Sequence, residues 1–359
     1  MSAARRNVQI GGRTITNGTM FVVGVMTPIS IFLIVQLFNN PSTFFRTFVQ
    51  SLALGSVYAL IALGFVLIFK ASQVVNFSQG ALAMCGALFL SFLVADGHIP
   101  FTTVRNPLMD LPGPSWLPWI LSLLVALFFA ALLGLVVERI AIRPMVGEPI
   151  FAVAVITLGL EIVLRVFATD STKAQFRSLQ IPWGNDSFRL FGANLNWSYV
   201  AVMVTALIAF LVTYLFFRTR TGIAMRAVAH DQEVAMAQGI KVGRVFAIAW
   251  AAGAVLATLG GIFSTQPPIK QIGAVEPDTA LVAFRALPAV ILGGLDSVQG
   301  ALVGGLLIGL AEIYAGQYLA GQTSWLGAGY PLIIPYVVMI IGLIVRPYGL
   351  FGTPEVRRV

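Results

Sequence analysis

The chain holds 359 residues, of which 58% are hydrophobic and 10% charged, with a mean hydropathy of +0.90. That composition excludes a soluble domain and requires an integral membrane protein. The net charge of +8 sits in short loops and termini, where it sets orientation, so nucleic acid is excluded as a partner.

A span needs about 20 apolar residues to cross about 30 Å of hydrocarbon. In chain order the candidates are Met20–Phe38, Thr47–Phe69, Val74–Ala95, Trp119–Val137, Ile150–Ala168, Ser198–Phe217, Val245–Gln266, Thr279–Gly294, Gln299–Gly316 and Leu326–Val345, ten in all with a short eighth. The first runs into Asn39-Asn40-Pro41 with no small-residue cleavage pattern, so it reads as a retained span. With the N-terminus inside, alternation gives the cytoplasm Arg5, Arg6, Arg13, Lys70, Arg139, Arg143, the Arg218–Arg244 loop, Arg346, Arg357 and Arg358. The outer side receives fewer cations, and both termini fall in the cytoplasm. The expected fold class is all-α: a polytopic helical bundle of about eight to ten transmembrane segments, with broken or re-entrant helices and an internal repeat. Residues 1–19 are an expected cytoplasmic arm, 20–346 one transmembrane domain containing a cytoplasmic segment at 218–244, and 347–359 a cytoplasmic tail.

Gln79-Gly80-Ala81-Leu82 and Gln299-Gly300-Ala301-Leu302 are the same tetrapeptide, each opening a Gly- and Ala-rich apolar run after a short polar break. Chance accounts for such a match as readily as duplication does. If the breaks are discontinuous helices, Asn76, Gln79, Ser297 and Gln299 supply neutral hydrogen-bonding groups for a substrate pathway, and helix N-termini there suit a carboxylate. Ten spans make the two copies parallel; an inverted relation needs a re-entrant segment, for which Thr279–Gly294 is the candidate. Gly300, Gly304, Gly305 and Gly309 form overlapping small-residue ridges suited to close helix packing. Glu161 and Arg165 can pair at i,i+4, and Arg285 and Glu312 are the other intramembrane charges, read as compensating each other.

Several chemistries are missing. One cysteine, Cys85, cannot form an internal disulfide, and two distant histidines, His98 and His230, hold no metal. None of Lys70, Lys173, Lys241 and Lys270 follows a glycine, so no phosphate-cradling loop exists. No cofactor is expected, no catalytic residue is assigned, and the chain is read as a transport subunit without an ATPase site of its own.

Three ordered stretches carry a family resemblance. They are Gly55–Phe65 continuing through Val75–Ala87, Arg220–Asp231 continuing to Ala235 and Gly239-Ile240, and Ala289–Ala301 followed by Gly304-Gly305 and Gly309. The chain resembles the permeases of bacterial branched-chain amino acid ABC importers, of the LivH type, a family that includes urea and amide importers. Where relatives often carry His-Gly-Glu after the Asn-Phe pair, this chain has Gln79-Gly80-Ala81. The resemblance implies an inner-membrane permease working with a second homologous permease, two cytoplasmic ABC ATPases and an extracytoplasmic substrate-binding protein, with lipid around it. It further implies that Gly222, Arg226, Asp231, Ala235 and Gly239 lie in the segment that couples to the ATPase, with Gly222 and Gly239 as its helix boundaries. The alternative is a permease or channel-like facilitator for urea or short amides.

Overall fold

The computed structural model describes residues 8–10, 13–15, 33–114, 116–145, 147–267, 269–270, 273–319 and 329–353. Eleven helices follow in chain order: α1 Pro41–Ser72, α2 Gln79–Val94, α3 Trp116–Val137, α4 Ile150–Ser171, α5 Trp197–Phe216, α6 Arg220–His230, α7 Gln232–Ala237, α8 Val242–Ser264, α9 Val282–Gly293, α10 Val298–Leu319 and α11 Ile334–Val345. Six helical stretches are long and apolar enough to cross a membrane: α1, α3 with its continuation to Met145, α4, α5, α8 and α10. Two shorter apolar stretches are α2 and Tyr330–Val345. The chain is a multi-pass helical membrane protein. Of the ten expected spans, Met20–Phe38 lies largely outside the described residues, and residues 33–39 are helical.

Helix α1 is the axis of the bundle, buried along nearly its whole length. Its partner α10 runs antiparallel and comes within backbone distance. An added Cβ on Gly55 would lie 2.7 Å from the Leu306 Cα, and one on Gly305 would lie 2.7 Å from the Gly55 carbonyl oxygen. Gly309 sits against Gly55 and Ser51 in the same way. In lipid, where apolar surface does not drive helices together, such close approach supplies the packing that holds them. Glycines 300 and 304 of the same helix face the other way, onto the backbone of Gly293 and Ala289, and clasp α9. Helices α3, α4 and α5 leave Phe128, Val163 and Val212 exposed, as lipid-facing helices do.

One end of the bundle gathers the end of α1, helix α6, the start of α8 and the α9–α10 turn. Lys70 Nζ donates to the Asp296 carbonyl and lies 5.3 Å from the centre of the Phe217 ring. Arg143 forms a two-pronged pair with buried Glu138, at 2.9 Å for each bond, and donates to the Gly243 carbonyl at 3.1 Å. Glu138 opens a π-helical turn, Glu138–Ile142, that continues α3. This basic end also carries Arg218, Arg220, Arg226, Lys241, Arg244 and Arg346. The opposite, far end is closed by Arg177 on Asp96 at 2.7 Å, by Lys270 on Glu276, and by two residues of strand, Arg177–Ser178, paired antiparallel with Ala274–Val275. Burial lowers the affinity of the Lys270 ammonium for its proton, and the Asp278 charge opposes that effect.

Two helices start inside the bundle rather than at either end. After α1 the chain turns at Gln73, in the left-handed region at φ 57, and re-enters. Phe77 N–H then meets Thr157 Oγ1 at 3.1 Å, two turns into α4, and Gln79 meets α8 at Gly253, near its middle. Helix α2 runs from there to the far end, where Asn106 donates to the Leu93 carbonyl at 3.0 Å. Its 16 residues span about 24 Å, too short to cross. Helix α9 is its counterpart: the chain enters from the far end through a 3-10 turn, Pro277–Leu281, and α9 runs from mid-depth to the basic end over 12 residues. The starts of the two half-helices touch, since a Cβ on Gly80 would overlap the Ala280 carbonyl oxygen.

This arrangement corrects two expectations. Val74–Ala95 and Thr279–Gly294 hold half-helices, not spans, and the second re-enters with a 3-10 turn as the re-entrant alternative for it requires. The second tetrapeptide opens α10 at the basic end, not a broken helix, so the two copies are not structural equivalents. The unit that mirrors α1–break–α2 is α8–break–α9, which reverses direction.

Candidate functional site

The first break is a closed polar knot. Asn76, Ser78 and Gln79 are fully buried. The Asn76 carboxamide oxygen accepts from Ser78 N–H at 3.0 Å and Ser78 Oγ at 2.6 Å, while its nitrogen donates to Gln79 Oε1 at 3.1 Å. Gln79 Nε2 in turn donates to the Gly253 carbonyl at 3.2 Å. Each amide is thus satisfied within the protein, as buried polar groups must be. The knot lies at the start of α2 and ties α2 to α8, and Gly64 is the residue that leaves room for the Gln79 side chain.

The second break lies elsewhere. Ser297 Oγ accepts from Gly300 N–H at 3.0 Å and caps α10, and Gln299 is exposed. The turn abuts Lys70, whereas Gln79 meets α1 at Gly64, about 9 Å nearer the middle. The four residues proposed from the sequence therefore form two separate groups, Asn76 with Gln79 and Ser297 with Gln299. Gly294, at φ 107, needs the freedom of glycine, and it packs under the C-terminal segment, where Leu350 and Phe351 N–H groups bond to the Leu292 and Gly293 carbonyls at 2.8 and 3.0 Å.

Between these parts the basic end holds a half-open cavity of about 660 Å³, walled by Lys70, Gln73, Arg226, His230, Asp296 and Tyr348 among others. Beside it α6 and α7 form an elbow. Thr219 caps α6, accepting from Gly222 N–H at 3.3 Å, and Asp231 both ends α6 and caps α7, accepting from Val234 N–H at 2.9 Å. Gly222 is not a boundary. It sits within the first turn of α6, where its bare Cα lets the helix press on the backbone of Phe216 and Phe217. Gly239 does end the segment, at φ 81 in open space. Met225, Val228 and Ala235 face inward, while Ile223, Arg226, Val234 and Met236 face out. The outward apolar residues Ile223, Val234 and Met236 are not singled out by the sequence; the spacing of Gly222, Met225 and Val228 marks the opposite face of α6 and points to Ile223, whereas six-residue α7 is too short to show such a pattern for Val234 and Met236.

The intramembrane charges divide. Glu161 and Arg165 pair at 2.7 Å. Glu312 accepts from Tyr58 OH at 2.7 Å; Arg285 lies beyond ion-pair distance of it among the described residues, but the Arg285 charge still acts on Glu312. Tyr58 on α1 supplies an uncharged donor where a cation was expected. The described residues contain no group of His, Cys, Asp or Glu that could hold a metal ion.

Comparison with known proteins follows the architecture. A family model described as branched-chain amino acid transport system / permease component matches residues 47–345. The high-affinity branched-chain amino acid transport system permease protein LivH of Salmonella typhimurium is 28% identical over 324 residues, covering 88% of this chain and 98% of the relative. BraD of Pseudomonas aeruginosa, a permease protein of the same description, is 28% identical over 323 residues, covering 88% and 98%. The fructose import permease protein FrcC of Rhizobium meliloti is 25% identical over 311 residues, covering 82% of this chain and 78% of the relative. The chain belongs to the family of permease components of branched-chain amino acid transport systems.

Proposed function

We propose that this chain is the membrane-spanning permease of an ATP-driven importer for branched-chain or related small amino acids. In this reading it sits in the inner membrane with its basic end, N-terminal arm and C-terminal tail in the cytoplasm, in keeping with the excess of Lys and Arg there. It pairs with a second homologous permease, and a substrate-binding protein delivers solute to the far end. Two separate ATPase subunits press on the elbow.

The observation that carries the reading is the elbow itself. Its inward residues are locked to the bundle, and Ile223, Val234 and Met236 stand 53, 56 and 51% exposed at a solvent-facing end. An apolar face on a short, doubly capped helix pair suits insertion into a groove on a partner. Force applied there passes directly into α5 and α8, which the elbow joins. Helix α8 holds the α2 knot through Gly253, so its movement would part the half-helices α2 and α9 and change which end the path faces. Asn76 and Gln79 border that path once the two half-helices separate, and Ser297 with Gln299 lies at its cytoplasmic end.

Replacing Ile223 and Met236 by Asp tests this. Both side chains are outward, so the protein should insert and keep its thermal stability, while ATP-driven uptake of leucine by the complex falls by about tenfold or more. Unchanged uptake would remove the elbow from the coupling route. Because fructose permeases are among the relatives, the same assay should include fructose, for which no uptake is expected.

A further inference from the structure

We propose that the cavity at the basic end is a binding site for the phosphate headgroup of an anionic membrane phospholipid. The cavity of about 660 Å³ is far larger than a phosphate group and fits a glycerophosphate headgroup. Its polar lining is cationic. Lys70 donates to the Asp296 carbonyl and lies near the face of Phe217. Arg226 reaches the cavity from α6 and makes no hydrogen bond or ion pair among the described residues. His230 follows one turn later on the same wall. Against them, among the described residues, stands one carboxylate, Asp296, whose oxygens accept from the backbone N–H and hydroxyl of Thr353 and whose charge also acts on Lys70.

Besides the neutral polar residues Gln73 and Thr353, the rest of the lining is apolar or aromatic, including Ile291, Leu295, Leu343 and Tyr348. Helix α11, which supplies Leu343, exposes Ile340 and Ile344 at 53 and 76%, so the cavity opens beside a surface that faces lipid. Basic pockets between transmembrane helices, with an apolar side towards the bilayer, are the arrangement that holds anionic headgroups. A phosphate diester there would bond to Arg226 and Lys70 at once, joining α6 to the end of α1 and to the C-terminal segment. This proposal does not depend on which solute the permease carries.

The test uses the full chain purified in detergent, titrated with phosphatidylglycerol or phosphatidylcholine, with bound lipid counted by native mass spectrometry. Phosphatidylglycerol should bind more tightly, and Arg226→Gln should weaken it about fivefold, the worth of about one basic residue at an anionic surface. Arg226→Lys should retain most of the binding, and Arg244→Gln, a basic-end change outside the cavity lining, should leave it intact. Glycerol phosphate and inorganic phosphate form the second arm. Arg226-dependent binding of either, without binding of phosphatidylglycerol, would keep the phosphate site and overturn the lipid source. Equal binding of the two lipids, unaffected by Arg226→Gln, together with no phosphate binding, would overturn the site.

Discussion

Glu312 is a carboxylate buried to 9% exposure inside the bundle, and among the described residues the Tyr58 hydroxyl is the hydrogen-bond donor that meets it, with the Arg285 charge acting from farther off. Removing that hydroxyl leaves an acceptor that lipid cannot satisfy and water reaches poorly. Tyr58→Phe should therefore lower stability by about 1–3 kcal/mol, whereas Glu312→Gln, which retains an acceptor for the Tyr58 hydroxyl, should cost less. Thermal unfolding of the purified variants measures both, and equal losses would mean that the contact itself contributes little. Glu312 and Arg285 stood out in the sequence because charge within an apolar run is conspicuous. Tyr58 did not, since a tyrosine in a hydrophobic span is ordinary and the 254 residues between the pair hide their contact. For the same reason Glu161 with Arg165 was legible, being a local pair one turn apart.

At the scale of the element, glycine decides which helices meet closely. Gly309 of α10 sits against the backbone of Gly55, whereas Gly159 of α4 has nothing within 4 Å of its absent Cβ. Alanine at Gly309 should therefore push α1 and α10 apart at a cost of about 1–3 kcal/mol, while alanine at Gly159 should be neutral or slightly stabilising. Melting temperatures compared side by side decide the matter, and equal effects would mean that the ridge is not a contact of consequence. The long apolar helices were readable from composition because each crosses the bundle alone. Of the half-helices, α9 was foreshadowed by the shortness of Thr279–Gly294, the re-entrant candidate, whereas α2 is as apolar as a true span and only its tertiary contacts place its start at mid-depth. The tetrapeptide drew attention to the right break at Asn76–Gln79 and to the wrong partner for it. The counterpart, the break between α8 and α9, belongs to a unit that runs in the opposite direction and does not share its sequence.

As a whole, the molecule has a rigid axis of α1 and α10, a pair of opposed half-helices beside it, and a capped elbow reaching from α5 and α8 to the basic end. The amide groups at its centre are committed to one another and to the Gly253 carbonyl. Under the proposed function, the chain conducts only when a separate ATP-consuming partner works the elbow. The most direct measurement is leucine flux into proteoliposomes containing the chain alone, set against the chain co-purified with its ATPase and permease partners and supplied with binding protein. The account predicts no flux above empty liposomes for the isolated chain, with or without ATP, and ATP-dependent accumulation for the complex. Rapid leucine equilibration through the isolated chain without nucleotide would contradict it.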